Sequence, residues 1–147
     1  MPVTSVNHTF ADIEQLSTFD AVIDARSPGE YALDHIPGAI NCPVLNDEER
    51  IRVGTMYKQV SALEARKHGA VLVARNIAAH LERELPGKPR EWQPLVYCWR
   101  GGQRSTAMAT PMPPPMQSVA RPFLASRLAI SCSSVTSASI CRSRYGS

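Results

Sequence analysis

Pro94-Leu95-Val96-Tyr97-Cys98-Trp99-Arg100-Gly101-Gly102-Gln103-Arg104-Ser105 decides the fold. Its first four residues form an apolar run too short for a helix, the pattern of a buried strand in a parallel sheet. The strand runs directly into Cys98 and a turn containing Gly101 and Gly102. Two glycines let backbone amides point inward without Cβ clashes, so several N–H groups converge on one anion. Ser105 to Ala109 then begins a helix whose positive end lies beneath the same loop. Strand, glycine turn and helix in that order are the repeating unit of an α/β protein.

The preceding residues supply the rest of such a sheet. Phe19-Asp20-Ala21-Val22-Ile23-Asp24 is a second apolar run and puts Asp24 at the C-terminal edge of its strand, where functional groups gather. Ser27-Pro28-Gly29-Glu30 follows as a capping box with proline at the first helical position, which predicts a short helix through Ala32. Pro37-Gly38 turns the chain into another short strand near Ile40. From Asn46 to Pro86 the pattern is helical: Val73, Ile77, Leu81 and Leu85 recur every fourth residue, a face for the sheet, and Pro86-Gly87 ends it. The expected fold is a parallel sheet flanked by helices.

The chemistry rests on Cys98. A cysteine that ends an apolar strand is most often plain core. The two glycines, Arg100, Arg104 and the helix start tip the balance, because cations and backbone donors stabilise the thiolate, the reactive form. A thiolate held this way attacks an activated sulfur, selenium or phosphorus centre and carries the group covalently. Trp99 either covers the core or stacks on a ligand, and Gln103 completes the loop. Asp24 and Arg26 are expected to pair at the sheet edge and support the loop, and His35 is a structural hydrogen-bonder. Cys42, beside Pro43, reads as small core packing.

Bulk properties are bounding only. The 147 residues, 44% hydrophobic and 20% charged, fit one domain, and a net charge of +3 says little about nucleic acid. No apolar run of about 18 residues and no signal peptide is visible, so a cytoplasmic protein with no membrane partner is expected. Four cysteines without a CxxC pair indicate neither disulfides nor a metal site. No Asp or Glu occurs from Trp92 to Ser147, and beyond Thr106 the chain is rich in Ser, Pro and Ala, with Pro113-Pro114-Pro115 barring any helix. The expected division is a domain over 1–109, with its core from about 15 to 105, and an aberrant tail over 110–147. That tail reads either as disordered or as out-of-frame translation. Cys132 and Cys141 lie in it without a motif.

Asp24-Ala25-Arg26-Ser27-Pro28-Gly29-Glu30-Tyr31, followed by His35-Ile36-Pro37-Gly38-Ala39-Ile40-Asn41, resembles the signature of rhodanese-like domains, and the Cys98 loop resembles their active-site loop. Glu49 to Gln59 and Tyr97 to Ser105 narrow the resemblance to the tRNA 2-selenouridine synthases, over residues 12 to 109. The resemblance implies a selenotransferase that replaces sulfur by selenium in the wobble 2-thiouridine of tRNA, through a geranylated intermediate. It makes Cys98 the catalytic residue, selenophosphate the co-substrate with no bound cofactor, and tRNA the partner rather than DNA. Trp99, Arg100, Gly101, Gly102, Gln103 and Arg104 are then the anion-binding loop, with Arg100 and Arg104 on the donor's oxygens. Lys58, Arg66, Lys67 and His68 are a basic stretch that either meets tRNA phosphates or is simply solvated.

The loop has five residues between Cys98 and Arg104, as in rhodanese-fold phosphatases, where most rhodaneses have four. No GxxxxGK[ST] is present and the Gly-Gly-Tyr-Lys segment of the family is missing, so the sheet is expected to be incomplete at its C-terminal end. A rhodanese-type sulfurtransferase using a Cys98 persulfide, and an inactive or partner-binding fragment, are the alternatives.

Overall fold

The computed structural model describes residues 9–98 and 102–120. Five strands form one parallel sheet: β1 (Thr9–Ala11), β2 (Ala21–Asp24), β3 (Ile40–Asn41), β4 (Pro94–Tyr97) and β5 (Ser118–Ala120). Their spatial order is β1-β5-β4-β2-β3, with every pairing parallel. A 3₁₀ helix over Ile13–Thr18 and helices α1 (Pro28–Leu33), α2 (Asp47–Gln59), α3 (Ala62–Glu84) and α4 (Gln103–Ala109) connect the strands. The expected parallel sheet flanked by helices is what the chain forms.

Alternation along the strands divides the core between the two faces. Ile23, Val96 and Val119 point to one face, where Ile77 of α3, Met108 of α4 and Trp92 bury them, with Val73, Leu81 and Leu85 packed alongside. The fourfold repeat read in the sequence is therefore the face that meets the sheet. Val22, Leu95 and Ala120 point the other way, onto Leu16, Phe19, Ile36 and Tyr31. Because β4 is buried on both sides it carries no polar residue except the Tyr97 hydroxyl, as parallel strands require.

The caps follow the local chemistry. The Ser27 N–H donates to Glu30 Oε2 at 3.2 Å, the return half of the capping box, and α1 ends one residue beyond the expected Ala32. Ala39 N–H donates to Ile36 O at 2.9 Å across Pro37-Gly38, with Gly38 at φ 79°, so that turn needs its glycine. Helix α3 is tied to the segment that follows β3 by Asn76 Nδ2 donating to Val44 O at 3.1 Å and His80 Nε2 donating to Pro43 O at 2.9 Å.

The chain does not leave the fold at residue 109. After α4, Met112 and Met116 are buried beneath the proline segment, and β5 enters the sheet between β1 and β4. The stretch assigned to an aberrant tail thus supplies an interior strand, and the core starts earlier than residue 15, with Ala11 only 2% exposed. The prolines do stop α4, yet the turn they form returns the chain to the sheet. Residues 121–147, including Cys132 and Cys141, lie outside the described residues, so the expected incompleteness meets the structure only as far as Ala120. Among the described residues no helix is long and apolar enough to cross a membrane.

Candidate active site

Cys98 follows the last residue of β4, the middle strand, and sits at the C-terminal edge of the sheet. Its side chain is buried, 3% exposed, on the α4 face. Gly102, at φ 68°, turns the chain into α4, a left-handed backbone that favours glycine. That turn aims the Ser105 N–H at Cys98 Sγ, 3.4 Å away. The Cys98 thiol lies 3.3 Å from Ser105 Oγ, which in turn donates to Gly102 O at 3.0 Å. A backbone donor at a helix start thus faces the sulfur. Trp99, Arg100 and Gly101, three of the expected loop residues, lie outside the described residues, while Gln103 is exposed at the first turn of α4.

Arg104 points away from a free anion-binding role in this state. Its guanidinium donates to Glu30 Oε2 at 2.6 Å and to Oε1 at 3.3 Å. Burial alone would raise the Glu30 carboxyl, but the hydrogen bond and charge of Arg104, with the Ser27 N–H and the charge of Arg50, hold it at about 2. A depressed carboxylate stabilises the fold fully above its ordinary value of 4.5 and loses that contribution as pH falls from there through about 2. For this partly exposed group the effect is discounted to roughly 1–2 kcal/mol. Urea midpoints of the unsubstituted and Glu30→Gln chains should therefore differ at pH 7, draw together as pH falls below about 4.5 and converge near pH 2. An undiminished gap at pH 2.5 would contradict the assignment.

Asp24 and Arg26 pair as expected. The Arg26 guanidinium donates to both Asp24 oxygens at 2.7–3.1 Å and its backbone N–H to Oδ1 at 2.8 Å, with Asp24 wholly buried. The Tyr97 hydroxyl donates to Asp24 Oδ2 at 2.6 Å and accepts from Ile36 N–H at 3.1 Å. Burial opposes the Arg26 charge, but the hydrogen bond and charge of Asp24 outweigh it and raise its pKa; burial and Asp24 together push the Tyr97 phenol above its usual range. This cluster locks the end of β2 to the residue before Cys98. Removing the carboxylate with Asp24→Ala strips a buried guanidinium of its counter-ion and should cost about 3–5 kcal/mol in urea unfolding. A loss below about 1 kcal/mol would mean that water replaces the carboxylate.

Three side chains of this site carry only a local signal in the sequence: Ser105 reads as a helix start, Glu30 as a cap and Tyr97 as an apolar strand residue. Cys42 is fully buried in the same core cluster as Cys98, and burial with the charge of Glu84 raises its thiol to about 11 against the pull of Arg83, 3.6 Å away. It is inert packing. His35 stacks on Tyr31 with centroids 3.8 Å apart and donates from Nδ1 to Tyr31 O, a structural role. In the basic stretch Lys58 and Arg66 are exposed, while Lys67 is paired with Glu64 at 2.9 Å.

Comparison with known proteins agrees with the fold. The model of the rhodanese-like domain matches residues 9–113. A tRNA 2-selenouridine synthase of Nitrosomonas europaea is 41% identical over 85 residues, 57% of this chain and 22% of that protein. Proteins of the same name from Bdellovibrio bacteriovorus and Pseudomonas putida are 40% and 38% identical, over 57% and 64% of this chain and 22% and 26% of theirs. The chain thus spans about a quarter of the length of the curated relatives it matches. A crystal structure of the N-terminal domain of a putative ATP/GTP binding protein from Clostridium difficile 630 superposes with a TM-score of 0.65 at 27% identity, covering 86% of this chain and all of that one. Sequence and fold agree, and the chain belongs to the rhodanese-like domain family.

Proposed function

We propose that this chain is the rhodanese-like part of a selenotransferase resembling tRNA 2-selenouridine synthase, with Cys98 as nucleophile, selenophosphate as donor and tRNA as acceptor. The observation that carries the reading is Cys98 at the end of the middle strand, with the Ser105 N–H 3.4 Å from its sulfur. That amide is placed to donate to a negatively charged sulfur before attack and afterwards in a persulfide or a selenopersulfide, the latter formed when the thiolate attacks selenium and phosphorus leaves as phosphite with the electron pair of the broken Se–P bond. Arg104 is the described cation nearest in sequence to the nucleophile, and together with Trp99, Arg100, Gly101, Gly102 and Gln103 it forms the loop that receives the donor's oxygens. Asp24, Arg26 and Tyr97 touch no reacting atom and act by fixing the strand that presents Cys98.

A sulfurtransferase reading shares the same nucleophile. With thiosulfate, the Cys98 thiolate attacks the outer sulfur, the new S–S bond forms, and sulfite leaves with the electron pair of the broken bond. Donor preference separates the readings. The purified chain is offered selenophosphate or thiosulfate, with 2-thiouridine-containing tRNA present, and the peptide bearing Cys98 and the nucleoside pool are read by mass spectrometry. Selenium on Cys98 or in the nucleoside, with no sulfur taken from thiosulfate, is the expected result. Sulfur from thiosulfate without selenium would make the chain a sulfurtransferase, and modification of neither would leave a binding fragment.

A further inference from the structure

Glu30 on α1 is contested by two arginines from different helices. Arg104 on α4 holds Oε2 at 2.6 Å but Oε1 only at 3.3 Å, while Arg50 on α2 stands with Nη2 3.8 Å from that second oxygen, an ion pair without a hydrogen bond. The Ser27 N–H and hydroxyl add two contacts of 3.2 Å to Oε2. The Glu30 and Arg104 side chains are 19% and 25% exposed and Arg50 is 55% exposed, so the carboxylate lies between a sheltered partner and a freer one.

The arrangement matters because Arg104 immediately precedes Ser105, whose amide touches the Cys98 sulfur. While Glu30 holds it, the cation is neutralised, and a dianion approaching the loop gains little from a closed ion pair. Pulling Arg104 off would leave a half-buried carboxylate without its main partner, which is costly. Arg50 removes that cost, since a small side-chain motion brings it onto the oxygen that Arg104 holds more weakly.

We propose that Glu30 and Arg50 are specificity-determining residues of the Cys98 loop: an arriving oxyanion takes Arg104 from Glu30, and Arg50 receives the carboxylate. A singly charged or weakly basic anion competes poorly with a carboxylate for a guanidinium. A phosphate-type group, with more charge and three oxygens in a matching geometry, competes well. The exchange therefore selects donors bearing a dianionic oxyanion end. It rests on the reading of the Cys98 loop as a donor site.

The test follows alkylation of Cys98 by iodoacetamide in the full chain, read on the Cys98 peptide by mass spectrometry while inorganic phosphate is titrated at constant ionic strength. Each variant's rate without phosphate is its own reference. Phosphate should protect the unsubstituted chain, Arg50→Ala should weaken that protection by about fivefold, and Glu30→Gln should strengthen it by a similar factor. In the double variant the effect of Arg50→Ala should vanish, because the arginine acts through the carboxylate.

An Arg50→Ala effect of equal size with and without Glu30 would show plain long-range attraction and overturn the exchange, as would no effect at all. If Glu30→Gln fails to fold, Arg50→Lys decides: it should restore most of the protection lost in Arg50→Ala, and failure to restore it overturns the proposal. No protection of the unsubstituted chain by phosphate would instead remove the donor-site reading together with the exchange.

Discussion

Replacing Cys98 by serine is expected to reduce chalcogen transfer by roughly 10³-fold or more, to the background of the assay. A hydroxyl at that position is isosteric enough to keep the Ser105 contacts, but it stays protonated at neutral pH and is a poor nucleophile toward sulfur or selenium. The measurement is product formed with the donor that the unsubstituted chain prefers, alongside a urea midpoint. The midpoint should move by less than about 1 kcal/mol, since the side chain is small and its neighbour is polar. Substantial transfer by Cys98→Ser would take the nucleophile's role from Cys98. The substitution is cleaner than Cys98→Ala because it removes the thiol without opening a void beside Met108 and Val96.

Ending the chain after Ala109 should abolish the cooperative folding of the full chain. Without residues 118–120 the sheet loses the strand that pairs with both β1 and β4, so β1 has no partner and Val96 and Leu95 keep neighbours only on the β2 side. Met112, Met116 and Val119 leave the core at the same time. Burial of side chains of this size contributes about 1.5–3 kcal/mol each, and a typical domain holds only about 5–15 kcal/mol in total. Near-ultraviolet circular dichroism and urea titration of the truncated and full chains provide the check. A cooperative transition in the shorter chain would mean that β5 is dispensable.

The elements legible in the sequence were those whose own residues determine their burial. Pro94 to Tyr97 and Ala21 to Asp24 are continuous apolar runs because parallel strands are covered on both faces, and the Val73-Ile77-Leu81-Leu85 repeat records one helical face. Cys98 was legible because a strand, two glycines and a helix start flank it. Ser118-Val119-Ala120 was not. Three small residues after a proline run have no period of their own, and only the strands on either side make them a strand. The Arg104–Glu30 pair spans 74 residues and the Tyr97–Asp24 bond 73, so neither leaves a local pattern. Glu30 was further concealed by its cap role, which explains the residue completely at short range.

The position of β5 also orders events in time. Thr9 pairs with Ser118, so the first strand made waits for the last described one. As synthesis proceeds from the N-terminus, the edges of β1 and β4 remain open until that segment emerges, and neither can be satisfied by the helices that appear between them. Such long-range closure makes assembly slow, and it leaves the nascent chain presenting unpaired edges to proteases and to other chains. A chain cut short between residues 110 and 117 therefore holds Cys98 and every helix described here, yet lacks the means to bring them into register.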